Sequence, residues 1–214
     1  MREVLDAIIA LEEALRLNAS IKVTAFEFFK SPANSRQIEE FRKNGKIEKT
    51  VLDFYDVSDG FEIGWQPVDA ALKTHDIAGR VKVNPFQQVM RNWGGVVYFD
   101  DEPENGPRRK FFPTDFFVDE AAAGFCTLEG YRHMIYLFKF EGELIPLEVS
   151  FEGYLRCMLM ARGCVYWQYL LLELTSGQEN EVSRRIKEFL PRLFPDFEFQ
   201  AFARLFNDVR IQNA

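Results

Sequence analysis

Two dense apolar segments, one on either side of the chain's middle, constrain the fold most. The first runs from Leu52 through Phe54-Tyr55 and Phe61-Glu62-Ile63-Gly64 to Trp65. The second opens with Ser150-Phe151-Glu152-Gly153-Tyr154-Leu155-Arg156 and runs through Ala161-Arg162-Gly163 to Tyr166-Trp167-Gln168-Tyr169-Leu170. Neither carries a metal-ligand set or a phosphate loop, and both read as scaffold. The chain has 214 residues, of which 22 are Phe. A chain of that length and apolar content forms a core without disulfides or metals, and it is not disordered over most of its length.

Periodicity gives the elements. Val4, Ile8, Leu11 and Leu15 recur at helical spacing and predict an amphipathic helix over 2–17. Alternation predicts a strand over 20–26, and a short helix follows over 35–43. Residues 48–58 read as helical, stopped by Asp59-Gly60. Phe61, Ile63 and Trp65 alternate with polar residues as a half-buried strand. Residues 66–76 read as a loop and 80–83 as a strand. Asn84-Pro85 reads as a helix start, with Asn84 as the cap and the helix ending near Asn92. Residues 96–99, 110–117, 121–127 and 133–140 read as strands, and 100–107 as a polar turn. Ser150 reads as the cap of a helix that Gly163 interrupts, and the apolar segment continues to Leu174. Gln178–Leu190 carries one apolar stripe and is expected to be ended by Pro191 and Pro195; 197–206 reads as a last short helix. Helices, then strands, then helices predict an α+β fold with an antiparallel-rich sheet.

Charge narrows the partners. The net charge is −7, and residues 99–152 carry 12 acids against 5 bases, which is the whole excess. A concentrated acidic third creates a one-sided field. It disfavours nucleic acid, whose phosphates need Lys and Arg, and suits a basic protein partner; the competing reading is ordinary solvated loops. Cys126, Cys157 and Cys164 form no framework spacing and read as reduced thiols of a cytoplasmic protein. The first residues, Met1-Arg2-Glu3-Val4-Leu5-Asp6, do not read as a signal peptide. No window approaches the ~20 uninterrupted apolar residues of a membrane span.

The series helix–Asp59-Gly60–strand–Trp65, then strand–Asn84-Pro85–helix, resembles the SUKH superfamily. So do Phe112-Pro113-Thr114-Asp115-Phe116-Phe117, the Ser150–Leu155 run and Arg162-Gly163-Cys164-Val165-Tyr166-Trp167-Gln168. The superfamily includes the fungal cell-wall-synthesis regulator domain and bacterial immunity proteins. The resemblance covers about residues 45–174. It implies a SUKH-like α+β domain over 1–176, with a mixed sheet flanked by helices and a helical extension over 177–214 packed on it. It also implies a non-enzymatic role: stoichiometric neutralisation of a polymorphic or contact-dependent toxin, with no cofactor and no metal. The alternatives are a regulatory module of a multiprotein assembly and a small-molecule-binding protein or enzyme.

Candidate site residues follow from the acidic third. Asp100, Asp101, Glu102 and Glu104 form the densest polar cluster, open to three readings: a solvated loop, a surface that docks Lys and Arg, or a hard-cation site. Pro103 and Pro107 spoil a calcium-loop pattern. Trp93, beside Gly94-Gly95, is the tryptophan expected to be exposed, and an exposed Trp beside a charged loop is a typical interface anchor. Trp65 and Trp167 read as core. His75-Asp76 invites an acid–base reading, but sequence neighbours seldom form such a pair in space. His133 reads as a half-buried strand residue, and Cys157 and Cys164 as small core residues. No catalytic residue is assigned.

Overall fold

The computed structural model describes residues 1–29, 31–73, 77–131, 133–140 and 142–211. In chain order these form α1 (Arg2–Leu17), β1 (Ile21–Phe28), α2 (Ser35–Asn44), α3 (Lys49–Tyr55), β2 (Phe61–Pro67), α4 (Ala70–Lys73), β3 (Gly79–Val83) and α5 (Phe86–Val89). There follow β4 (Phe111–Val118), β5 (Ala121–Cys126), β6 (Ile135–Lys139), β7 (Leu144–Pro146), α6 (Phe151–Met160), α7 (Gln168–Ser176), α8 (Glu181–Leu193) and α9 (Phe199–Val209). The chain is an α+β protein. Among the described residues its seven strands lie in one sheet in sequence order, and each named pair is antiparallel.

Local chemistry accounts for most ends. Glu48 accepts from the Thr50 and Val51 N–H groups and starts α3. Asn34 and Gly45, the latter at φ +59°, bound α2. Ser150 accepts from Gly153 N–H and starts α6. The α5 start differs from expectation. Asn84 makes no cap; Asp59 accepts from Phe86 N–H at 2.7 Å, while the Asn84 carbonyl accepts from the Tyr55 hydroxyl. Helix α3 ends at Tyr55; past it the Ser58 hydroxyl donates to the Phe29 carbonyl at 2.8 Å, with the Gly60 carbonyl at 3.1 Å. Pro191 does not end α8, which runs on to Leu193 and stops before Pro195. The proline removes one N–H within the last turn, and burial of Leu190 and Leu193 holds that turn in place. The loop expected over 66–76 begins as strand and then forms α4.

The sheet divides between β3 and β4. Their register holds one pair, Val83 with Asp115. Beyond it β4 bulges, and the α6–α7 connector takes the vacated place along β3. Arg80 N–H donates to Gly163 O at 2.9 Å and Val165 N–H to Ala78 O at 2.7 Å. Gly163, at φ +62°, permits the turn. Trp65 lies over Gly79, where any Cβ would overlap its ring, and donates to Arg162 O at 2.7 Å. Asp115 sits at the fork. Its Oδ1 accepts from Lys82 N–H at 2.8 Å, replacing a ladder partner.

The helices cover one face. Ile63, Trp65, Phe125 and Leu137 share a core with Ile8, Phe54, Leu155, Trp167, Leu190 and Phe202. Helices from both ends of the chain therefore bury into the same cluster. The opposite face of β4–β6 carries a second core, where Phe111, Cys126, Tyr136 and Phe138 meet Trp93 and Val97. Ile135 and Leu137 point to the first core, Tyr136 and Phe138 to the second, as strand alternation requires. On β3 the same side is open, with Arg80 and Lys82 exposed.

Candidate partner-binding site

The second core needs a cover, and residues 93–110 supply it. Val96–Phe99, expected as a strand, is instead a run of turns in which Val97 N–H donates to Trp93 O at 2.9 Å. An apolar run without a neighbouring strand edge satisfies its backbone locally. Trp93 is buried, at 4 % exposure, contrary to expectation. Its indole donates to Val89 O at 2.8 Å, its ring stacks on Phe116 at 5.2 Å, and the Arg91 guanidinium lies 3.9 Å over it. Flanking glycines and charges suggested exposure; the apolar back of β4 explains the burial.

The acidic cluster separates by role. Glu102 is buried at 6 %, and its carboxylate pairs with Arg108 at 2.5 Å. It lies against Gly106, where a Cβ would meet it. Arg109 donates to Glu102 O at 2.8 Å and lies over the Tyr98 ring. Glu102 therefore fastens the cover through the one-turn 3-10 helix Pro107–Lys110 and is not part of the outer surface. Asp100, Asp101 and Glu104 are exposed on the rim. Between them and Gly95 stand two side chains that sequence reasoning did not single out, Val96 at 40 % and Phe99 at 57 % exposure. The signal was present in the apolar run 96–99, but strand alternation would have buried one of the two.

Four other carboxylates of the acidic third have partners or are buried, while Asp119, Glu129 and Glu143 are exposed. Tyr166 donates to Glu120, Arg210 pairs with Glu148, Arg156 pairs with Glu152, and Asp115 is buried. Asp100, Asp101 and Glu104 are the densest exposed group of that third among the described residues. Among the described residues no group of three or more His, Cys, Asp or Glu is placed to hold a metal ion.

The other candidates are placed as follows. Trp65 and Trp167 are core residues with no exposure. Cys126, Cys157 and Cys164 are free and buried, and burial pushes the Cys157 and Cys164 thiols up to about 12. Such thiols are not ionised near neutral pH and are poor nucleophiles. His133, expected in a strand and half buried, is exposed at φ +76° ahead of β6. The His75-Asp76 pair lies outside the described residues. Among the described residues no helix is long and apolar enough to cross a membrane.

No family model, curated protein or solved structure matches this chain. The SUKH resemblance rests on the residues quoted for it.

Proposed function

We propose that this protein is a non-catalytic binding protein that docks a basic protein partner on loop 94–104, and that it acts as an immunity protein occluding a toxin domain. The observation that carries the reading is Phe99, 57 % exposed and next to Asp100 and Asp101, with Glu104 further along the same loop. An exposed aromatic anchor with a charged rim matches the make-up of interface hot spots. The base of the loop supports it as well. The Glu102–Arg108 pair and the Trp93–Phe116 stack hold it before any partner arrives, so less entropy is lost on docking. Buried thiols with raised pKa values favour binding over thiol chemistry.

The test uses a basic toxin domain encoded beside this protein's gene, titrated against the full chain. Phe99→Ala weakens binding about tenfold or more, chiefly through faster dissociation. Asp100→Asn with Asp101→Asn and Glu104→Gln slows association and flattens its salt dependence. Unchanged affinity and salt dependence in both variants overturn the proposal.

A further inference from the structure

A cleft of about 710 Å³ lies between the sheet and the last helices, at the end of the sheet where β4 turns into β5. Loop 94–104 takes no part in it. Glu120 reaches it from the two-residue β4–β5 turn. Lys139 and Phe140 come from the end of β6, where Lys139 stands opposite Ala121. Tyr166 belongs to the α6–α7 connector, Tyr169 to the first turn of α7 and Arg185 to α8.

Several observations separate this cleft from a solvated crevice. Tyr166 holds φ at +63°, a region that a bulky residue enters only where its surroundings dictate it. Those surroundings are visible. Its ring meets Phe117 edge-on at 5.8 Å, and its hydroxyl donates to Glu120. Tyr169 then stands at 85° to Tyr166, with centroids 5.9 Å apart. The two rings make an aromatic corner with a carboxylate beside it. Ring faces are electron-rich, so such a corner attracts an ammonium group. A cation already rests there, since the Lys139 ammonium lies 4.9 Å over the Tyr169 ring. Lys139 makes no ion pair among the described residues, which leaves its charge available to an anion. Val182 of α8 and Ala121 of β5 supply the apolar lining, while the Phe140 ring packs on the second core against Phe116 and Phe138.

We propose that this cleft binds a zwitterionic small molecule, an ammonium and a carboxylate on an apolar or aromatic body, of the free amino acid class. The ammonium takes the Tyr166–Tyr169 corner against Glu120. The carboxylate draws Lys139 off the Tyr169 ring. The body lies against Val182. The volume falls in the usual range for small-molecule sites. A ligand with only one of the two charges leaves the opposite group of the cleft partly desolvated and unpaired, which weakens binding. The proposal stands apart from the docking role of loop 94–104.

The test titrates the full chain, by calorimetry or by NMR shifts, with L-phenylalanine, L-leucine and glycine betaine, and with the two half-molecules phenethylamine and 3-phenylpropionate. We expect at least one zwitterion to saturate, and to bind about tenfold or more tightly than either half-molecule. Lys139→Met should abolish the preference over phenethylamine, and Glu120→Gln the preference over 3-phenylpropionate. The ligand series on the unaltered protein decides the matter even where a variant folds poorly. No saturation by any zwitterion up to about 10 mM, or equal binding by a half-molecule, overturns the proposal.

Discussion

Asp115 shows how one residue ties the sheet to the helices. Its carboxylate is fully buried; Oδ1 takes Lys82 N–H, and Oδ2 takes the Tyr154 hydroxyl at 2.7 Å. Tyr154 in turn accepts from Gln168 Nε2 at 2.7 Å, while Gln168 Oε1 has no partner. Burial raises the Asp115 pKa to about 6, against the lowering effect of the Tyr154 and Lys82 hydrogen bonds. A carboxyl whose folded value exceeds its unfolded value of 3.8 binds its proton more tightly in the folded state. Its stabilising contribution is therefore complete below pH 3.8, falls as pH rises and is lost by about pH 6. The shift corresponds to on the order of 3 kcal/mol. The protonated acid also reverses the chain of donors: Asp115 donates to Tyr154, whose hydroxyl can donate to Gln168 once that amide turns. Asp115→Asn cannot ionise. Its stability relative to the parent should improve by on the order of 3 kcal/mol between pH 4 and pH 7, as measured by urea unfolding at both values. A flat difference would show that the carboxylate is not penalised by its burial.

At the scale of elements, the cover 93–110 is where sequence reading and structure part most. Stripes such as Val4, Ile8, Leu11 and Leu15, all buried on α1, were legible because helical period and burial coincide. So were the Gly163 break and the Ser150 cap, which depend on residues close in sequence. The cap of α5 was not legible, because Asp59 arrives from 27 residues away. Trp93 was misread for a similar reason: whether an apolar run is a strand or a lid depends on which sheet face lacks a cover. Of the candidate site, the acidic rim Asp100, Asp101 and Glu104 was legible. The inward turn of Glu102 was not, since it depends on Arg108 and the bare Cα of Gly106. That contact is testable by Gly106→Ala. Gly106 has ordinary φ, −66°, so the backbone tolerates the change, and the added methyl instead displaces the Glu102 carboxylate from Arg108. We expect a loss of about 1–2 kcal/mol and faster amide exchange across 94–109, where Gly106 N–H now donates to Pro103 O. Unchanged exchange there would mean that the Glu102–Arg108 pair does not fasten the cover.

For the whole molecule the question is whether the C-terminal helices are an appendage or part of the core. The stretch over which a SUKH resemblance is read ends near Leu174, yet the packing continues past it. Phe194 meets Trp65 edge-on at 5.1 Å, and Phe202 meets Trp167 at 6.5 Å. Val209 lies against Gly153 on α6, and Ile211 N–H donates to Glu148 O at 2.7 Å. Beyond residue 176, Ile186, Phe189, Leu190, Leu193, Phe194, Phe197, Phe202 and Phe206 are all buried apolar residues. At roughly 1.5–3 kcal/mol for each such side chain, their burial is at least comparable with the ~5–15 kcal/mol net stability of an ordinary domain. Removing them also uncovers Trp65 and Trp167. A chain ending at Ser176 should therefore lack a cooperative thermal transition, lose its near-ultraviolet dichroism and bind hydrophobic dyes. A sharp transition close to that of the full chain would make residues 177–214 an appendage. Its absence would mean that the fold closes only when α8 and α9 return to the helical face, with both ends of the chain sharing one core.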